Sequence, residues 1–160
     1  MFRIGQSTDI HAFAKNRDLI LGGVKIPHFQ GLLGHSDADA LLHAVSEAIL
    51  GALALGDLGK HFPDNSEKTK GIDSMLILQQ VVKMMDECGY QINNMDCLIL
   101  IEKPKMAPYI EQMRKNIADC CHCEVDDVSV KATRGEKLGF VGREEGVACQ
   151  AIVLLKKKEG

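Results

Sequence analysis

The chain has 160 residues, enough for one domain that buries about 70% of its unfolded surface without a disulfide staple. Its formal net charge is −3, with acidic and basic residues mixed along the chain, which argues against a basic groove for nucleic acid. The longest apolar stretch, residues 39–56, is interrupted by His43, Ser46 and Glu47, so no membrane span is expected. No signal peptide is expected either, and six cysteines without the spacing of a secreted framework fit a reducing cytoplasm.

In chain order, "FRIGQSTDIHAF" and "DLILGGVKIPHF" read as strands, with Gly22 and Gly23 where a turn between two short strands needs positive φ. "HSDADALLHAVSEAILGALAL" places Leu42, Val45, Ile49, Ala52 and Leu53 at helical spacing, with Ser36 or Asp37 as N-cap and an end near Gly56. "GDLGKHFPDNSEKTKG" has no periodicity and reads as a long loop, a length that is usually functional or disordered. "DSMLILQQVVKMMDECG" is a second helix closed by Gly89, and "YQINNMDCLILIEKPK" passes into a buried strand that Pro104 ends. "PYIEQMRKNIADCC" is a third helix, and "VSVKAT" and "VACQAIVLL" alternate as two more strands around the glycine-containing "RGEKLGFVGREEG". Helices that do not alternate strictly with strands predict an α+β domain over residues 1–160, with the helices on one face of a mixed sheet.

Several polar residues interrupt this pattern. Residues i and i+2 of a strand share a face, so Asp9 and His11 present a carboxylate and an imidazole side by side. Asp39, His43 and Glu47 follow one another by single turns, a polar stripe on an apolar helix. If that helix packs on the first strand, Asp9, His11 and His43 meet as three metal ligands with a fourth position open. The alternative is a hydrogen-bonded core histidine.

His35 and Ser36 stand at the start of the helix, where free N–H groups cap locally or bind a phosphate oxygen. Asp57, Lys60, His61 and Asp64 suit a lid over hydroxyl groups, or a plain solvated loop. In "CCHC", neighbouring cysteines diverge on a helix end and no second C-x-x-C follows, so packing is expected there rather than zinc. Lys131, Thr133, Arg134, Glu136, Lys137 and Arg143 among glycines suit the cradling of a charged ligand at a strand end, or a surface turn.

"DIHAF", "LILGGVKIP", "GLLGHSDADALLHA", "ALGDLGKHFPD", "KPKMAPYI", "VKATRGEKLGF" and "GREEGVAC", in this order and at this spacing, resemble the 2-C-methyl-D-erythritol 2,4-cyclodiphosphate synthases of the non-mevalonate isoprenoid pathway. The resemblance implies conversion of 4-diphosphocytidyl-2-C-methyl-D-erythritol 2-phosphate into the cyclic diphosphate and CMP, a phosphorus–oxygen lyase reaction. It implies zinc, or a similar divalent metal, on Asp9, His11 and His43, and a second cation, magnesium or manganese, on Glu136. It implies a homotrimer with active sites between subunits.

For the substrate the resemblance implies His35 and Ser36 beside the 2-phosphate, with His35 stabilising the transition state. Asp57, Gly59, Phe62 and Asp64 fall near the erythritol hydroxyls. Ile101, Lys103, Pro104, Lys105, Met106 and Ala107 form the cytidine pocket, Thr133 contacts phosphate, and Phe140 and Arg143 lie near the ligand and a central cavity. The chain departs from the family at Arg134 and Gly135, where threonines are usual and one stabilises the transition state; a guanidinium at 134 is a phosphate donor in its own right. Ser7 stands where glycine is common. A water-activating zinc phosphohydrolase, or a trimeric module that binds metal or isoprenoid diphosphate without turnover, would use the same ligands.

Overall fold

The computed structural model describes residues 1–160. The chain opens with β1 (Phe2–Ala14), the hairpin β2 (Leu19–Leu21) and β3 (Val24–Ile26), and β4 (Gly31–Leu32). Helix α1 (Ala40–Ala52), the short α2 (Leu58–His61) and α3 (Ser74–Glu87) come next, followed by β5 (Tyr90–Leu100) and α4 (Ile110–Cys121). A single 3-10 turn (Val125–Asp127) leads into β6 (Val128–Thr133), the short α5 (Gly139–Gly142) and β7 (Gly146–Lys157).

Five strands form one sheet in the order β4-β1-β7-β5-β6. It is mixed, because β7 lies antiparallel between β1 and β5 while β6 runs parallel to β5 after a crossover through α4. The expected α+β arrangement, with helices on one face, is what the chain adopts. The hairpin stands apart as a two-stranded sheet, with Gly22 and Gly23 both at positive φ as its turn requires.

The sheet's inner face follows period 2: Val147, Cys149, Ala151, Val153 and Leu155 of β7 are buried, opposite Gly5 and Ser7 of β1. Helix α1 lies across β1 and β7, and a Cβ at Gly5 would collide with the Ala48 carbonyl, so only glycine lets helix and strand approach this closely. Because α3 covers the other side of α1, this helix is apolar nearly all round, and Leu41, Leu42, Ile49 and Leu50 are fully buried. Each such side chain contributes about 2 kcal/mol by leaving water. The outer face is bare: Phe2, Ile4, Ile10 and Ile152 are all more than half exposed.

Three expectations change. The N-cap of α1 is Asp39 rather than Ser36 or Asp37; its side chain accepts the Leu42 N–H. The 56–71 loop holds a helical turn, α2, whose N-cap is Asp57, and the glycine-containing segment before β7 holds α5. Helix α3 does close at Gly89, and β5 ends at Leu100, ahead of Pro104.

Candidate metal centre and active site

Asp9 and His11 sit on the face of β1 that looks toward α1, and His43 projects back from the first turns of that helix. The Asp9 Oδ2 atom lies 2.8 Å from His11 Nε2 and 3.3 Å from His43 Nδ1. One ligand atom from each residue falls within 4.8 Å of the others, and no other group of three or more His, Cys, Asp or Glu side chains is so arranged. The two rings stand 5.7 Å apart at 52°.

Each imidazole is oriented from behind. His11 Nδ1 donates to the Leu33 carbonyl at 2.7 Å, leaving Nε2 toward Asp9. His43 turns Nε2 to the Ser74 hydroxyl at 2.8 Å and leaves Nδ1 toward Asp9. Burial would raise the Asp9 carboxyl, but hydrogen bonds and charge from His11 and His43 outweigh it and hold the group at about 2. For His11 burial works downward, and the Asp9 hydrogen bond and charge overcome it and raise the ring above its ordinary value. A carboxylate with two imidazoles is a donor set suited to zinc or a similar divalent ion, and the pre-turned nitrogens fit that use.

This triad opens into a cavity of about 510 Å³ also lined by His35, Ser36, Gly59, Phe62 and Asp64. His35 Nε2 donates to the Ser66 carbonyl at 2.9 Å, so the loop after α2 rests on it. Ser36 Oγ accepts the Ala38 N–H at 3.1 Å and lies 3.2 Å from His43 Nε2. Asp57 does not line this cavity; its Oδ1 caps α2 through the Lys60 N–H.

A second cavity of about 570 Å³ is lined by Ile101, residues 103–107, Thr133, Arg134 and Glu136. No residue lines both cavities. Lys103, Lys105 and Arg134 line the second together with Glu102 and Glu136, and none of the three cations forms a salt bridge. Phe140 and Arg143 line neither cavity; Phe140 lies in α5 and Arg143 pairs with Glu145 at 2.6 Å. Cys121 of "CCHC" is in the core, and His122 ends α4 in the left-handed conformation.

Several contributing residues escape sequence reasoning. Ser7, in place of the usual glycine, donates to Glu47 Oε2 at 2.7 Å, and Glu47 Oε1 accepts the Leu58 N–H that starts α2. Arg17 donates to the Ser36 carbonyl, and Glu102 accepts the Gly135 and Lys137 N–H groups. Glu47 left a trace as the last member of the polar stripe and Ser7 as a departure from the expected glycine, whereas Arg17 and Glu102 left none.

The model of the YgbB family matches residues 2–156. The chain is 58% identical to the 2-C-methyl-D-erythritol 2,4-cyclodiphosphate synthase of Bacillus cereus (strain ATCC 10987 / NRS 248) over 158 residues, 99% of this chain and 100% of that one. Among solved structures it resembles the bifunctional IspDF of Campylobacter jejuni at TM-score 0.95 and 40% identity, covering 99% of this chain and 43% of that one. It also resembles a CDP complex of IspF from Plasmodium falciparum at TM-score 0.87 and 34% identity, covering 99% and 97%.

Proposed function

The chain belongs to the YgbB family, and from that membership we propose a metal-assisted cyclisation carried out between two cavities of neighbouring subunits. Its activity is that of the 2-C-methyl-D-erythritol 2,4-cyclodiphosphate synthases, lyases of isoprenoid biosynthesis. The substrate is 4-diphosphocytidyl-2-C-methyl-D-erythritol 2-phosphate, and the products are the cyclic diphosphate and CMP. An oxygen of the 2-phosphate attacks the β-phosphorus, the bond from that phosphorus to the bridging oxygen breaks, and CMP leaves with the electron pair.

Nucleophile and leaving group both belong to the substrate, so the protein's task is positioning and charge stabilisation. Asp9, His11 and His43 would hold zinc or a similar ion, which supplies Lewis acidity beside the β-phosphate. Glu136 would hold magnesium or manganese, which supplies further positive charge. His35 and Ser36 take the 2-phosphate side, with His35 donating to the charge that develops there. Asp57, Gly59, Phe62 and Asp64 flank the erythritol hydroxyls. Backbone groups from Ile101 to Ala107 read the cytosine edge, Thr133 and Arg134 contact phosphate, and Phe140 and Arg143 face the central cavity of the assembly.

A homotrimer is supported by two features: cavities that share no residue, and an outer sheet face that exposes Phe2, Ile4, Ile10 and Ile152. No helix is long and apolar enough to cross a membrane, and six free cysteines support a cytoplasmic setting.

The observation that carries the reading is a three-ligand metal centre opening into the same cavity as His35 and Ser36. Product analysis with and without a zinc chelator tests it. CMP and the cyclic diphosphate should appear in equal amounts, stop on chelation and return with zinc. Free monophosphate without cyclic product would make the chain a phosphohydrolase, and no turnover at all would make it a binding module.

A further inference from the structure

Asp37, Ser74 and His43 form a hydrogen-bonded chain from the first residue of α3 to the metal-facing helix α1. Ser74 is fully buried, its hydroxyl donates to Asp37 Oδ1, and its N–H donates to Asp37 Oδ2 at 3.1 Å. Asp37 is itself held in place: its N–H donates to the Ile72 carbonyl, and its Oδ1 also accepts the Asp39 N–H. On the other side, Ser74 Oγ lies 2.8 Å from His43 Nε2.

A hydroxyl has one proton to give, and an ionised carboxylate can only accept. The Ser74 proton is therefore committed to Asp37, and Ser74 Oγ can only accept from His43. We infer that Ser74 and Asp37 are positioning residues of the metal centre, which keep the His43 proton on Nε2 and hold Nδ1 free to ligate. The inference rests on the reading that Asp9, His11 and His43 bind a divalent ion. It explains an asymmetry within the triad: His11 gives Nδ1–H to the Leu33 carbonyl and turns Nε2 to Asp9, whereas His43 does the reverse. Neither Asp37 nor Ser74 lines the cavity, so both act through His43 rather than on substrate.

Zinc affinity of the full chain, measured by chelator competition, tests this in wild type, S74A, S74T, D37N and H43A. S74A and D37N should bind zinc about 10–100-fold more weakly, the usual cost of losing a group that orients a ligand. S74T, which keeps the hydroxyl, should recover most of that loss, and H43A should not bind. In the zinc-loaded wild type, NMR should find the His43 proton on Nε2 and slow to exchange, and S74A should exchange it faster. Unchanged zinc affinity in S74A and D37N overturns the inference while leaving the metal centre standing. A wild type that takes up no zinc removes the metal reading itself. If S74A fails to fold, D37N and the wild-type spectrum decide, and a His43 proton on Nδ1 in the loaded protein overturns the inference.

Discussion

Asp39 Oδ2 accepts the Gly23 N–H at 2.7 Å, tying the start of α1 to the turn of the β2–β3 hairpin. Its Oδ1 accepts from Gly22 at 2.9 Å and from Leu42 at 3.0 Å, so one buried carboxylate serves two elements. Replacing it with alanine leaves three N–H groups without their acceptor, two of them in a turn that has no other hydrogen bond to α1. Asp39→Ala should lose about 3 kcal/mol in urea unfolding, and Asp39→Asn, which keeps one acceptor oxygen, about half of that. A loss below about 1 kcal/mol in Asp39→Ala would show that the hairpin is held elsewhere.

Acid and neutral stability should respond to two carboxyls in opposite directions. Burial lifts Asp39 from its ordinary 3.8 to about 6, against the pull of its three N–H donors. The folded state binds this proton more tightly than the unfolded chain, so its contribution is full below about pH 4 and is lost as pH rises through 6. Asp9, held at about 2, contributes fully above pH 4 and loses that contribution as pH falls through 2. Between pH 4 and 6 the wild type should therefore lose stability relative to Asp39→Asn as pH rises, and parallel curves for the two proteins would contradict the assignment.

Metal affinity should fall as the medium is acidified. A proton competes with the ion for His11, whose ring is raised above its ordinary value once the Asp9 hydrogen bond and charge overcome burial. Calorimetric titration with zinc should show weaker binding at pH 6 than at pH 8, with protons released on binding. Chelation at neutral pH should lower the thermal midpoint, because the ion binds only the folded chain. Asp9→Asn should abolish both the binding and the shift.

Residues 134 and 135 should separate into a ligand effect and a packing effect. A Cβ at Gly135 would lie 2.6 Å from the Gly142 nitrogen and 2.9 Å from the Leu138 carbonyl, so the threonine expected here from the resemblance does not fit this loop. Gly135→Thr should lose about 1–3 kcal/mol through overpacking. Arg134→Thr should leave stability within about 0.5 kcal/mol and raise KM, since it removes an unpaired cation from the second cavity. A stable Gly135→Thr enzyme would show that the loop rearranges freely.

Ile10 and Ile4 share the exposed sheet face, at 58% and 71% exposure. A carboxylate placed there would have to be desolvated on assembly, so Ile10→Asp should sediment as a monomer. It should keep its zinc while losing activity, if each site needs two subunits. A trimeric Ile10→Asp would move the interface to another face.

Local pattern decided much of this protein. Alternation placed Asp9 and His11 together on one face, and helical spacing put His43 one turn beyond Asp39. The glycines at 22, 23 and 89 marked turns because positive φ excludes most other residues there. The cap of α1 was not legible in the same way: Ser36, Asp37 and Asp39 are all competent caps, and the choice fell to Asp39 because two hairpin N–H groups needed the same buried acceptor. Asp37 was then free to engage Ser74, a residue no local signal sets apart from any serine that opens a helix. The separation of His35, Ser36 and Asp64 in one cavity from Thr133, Arg134 and Glu136 in the other likewise came from the fold, since strand order, not sequence distance, sets which loops converge. Periodicity reports which face a side chain shares; only packing between distant segments supplies the partner that tells a ligand from a cap.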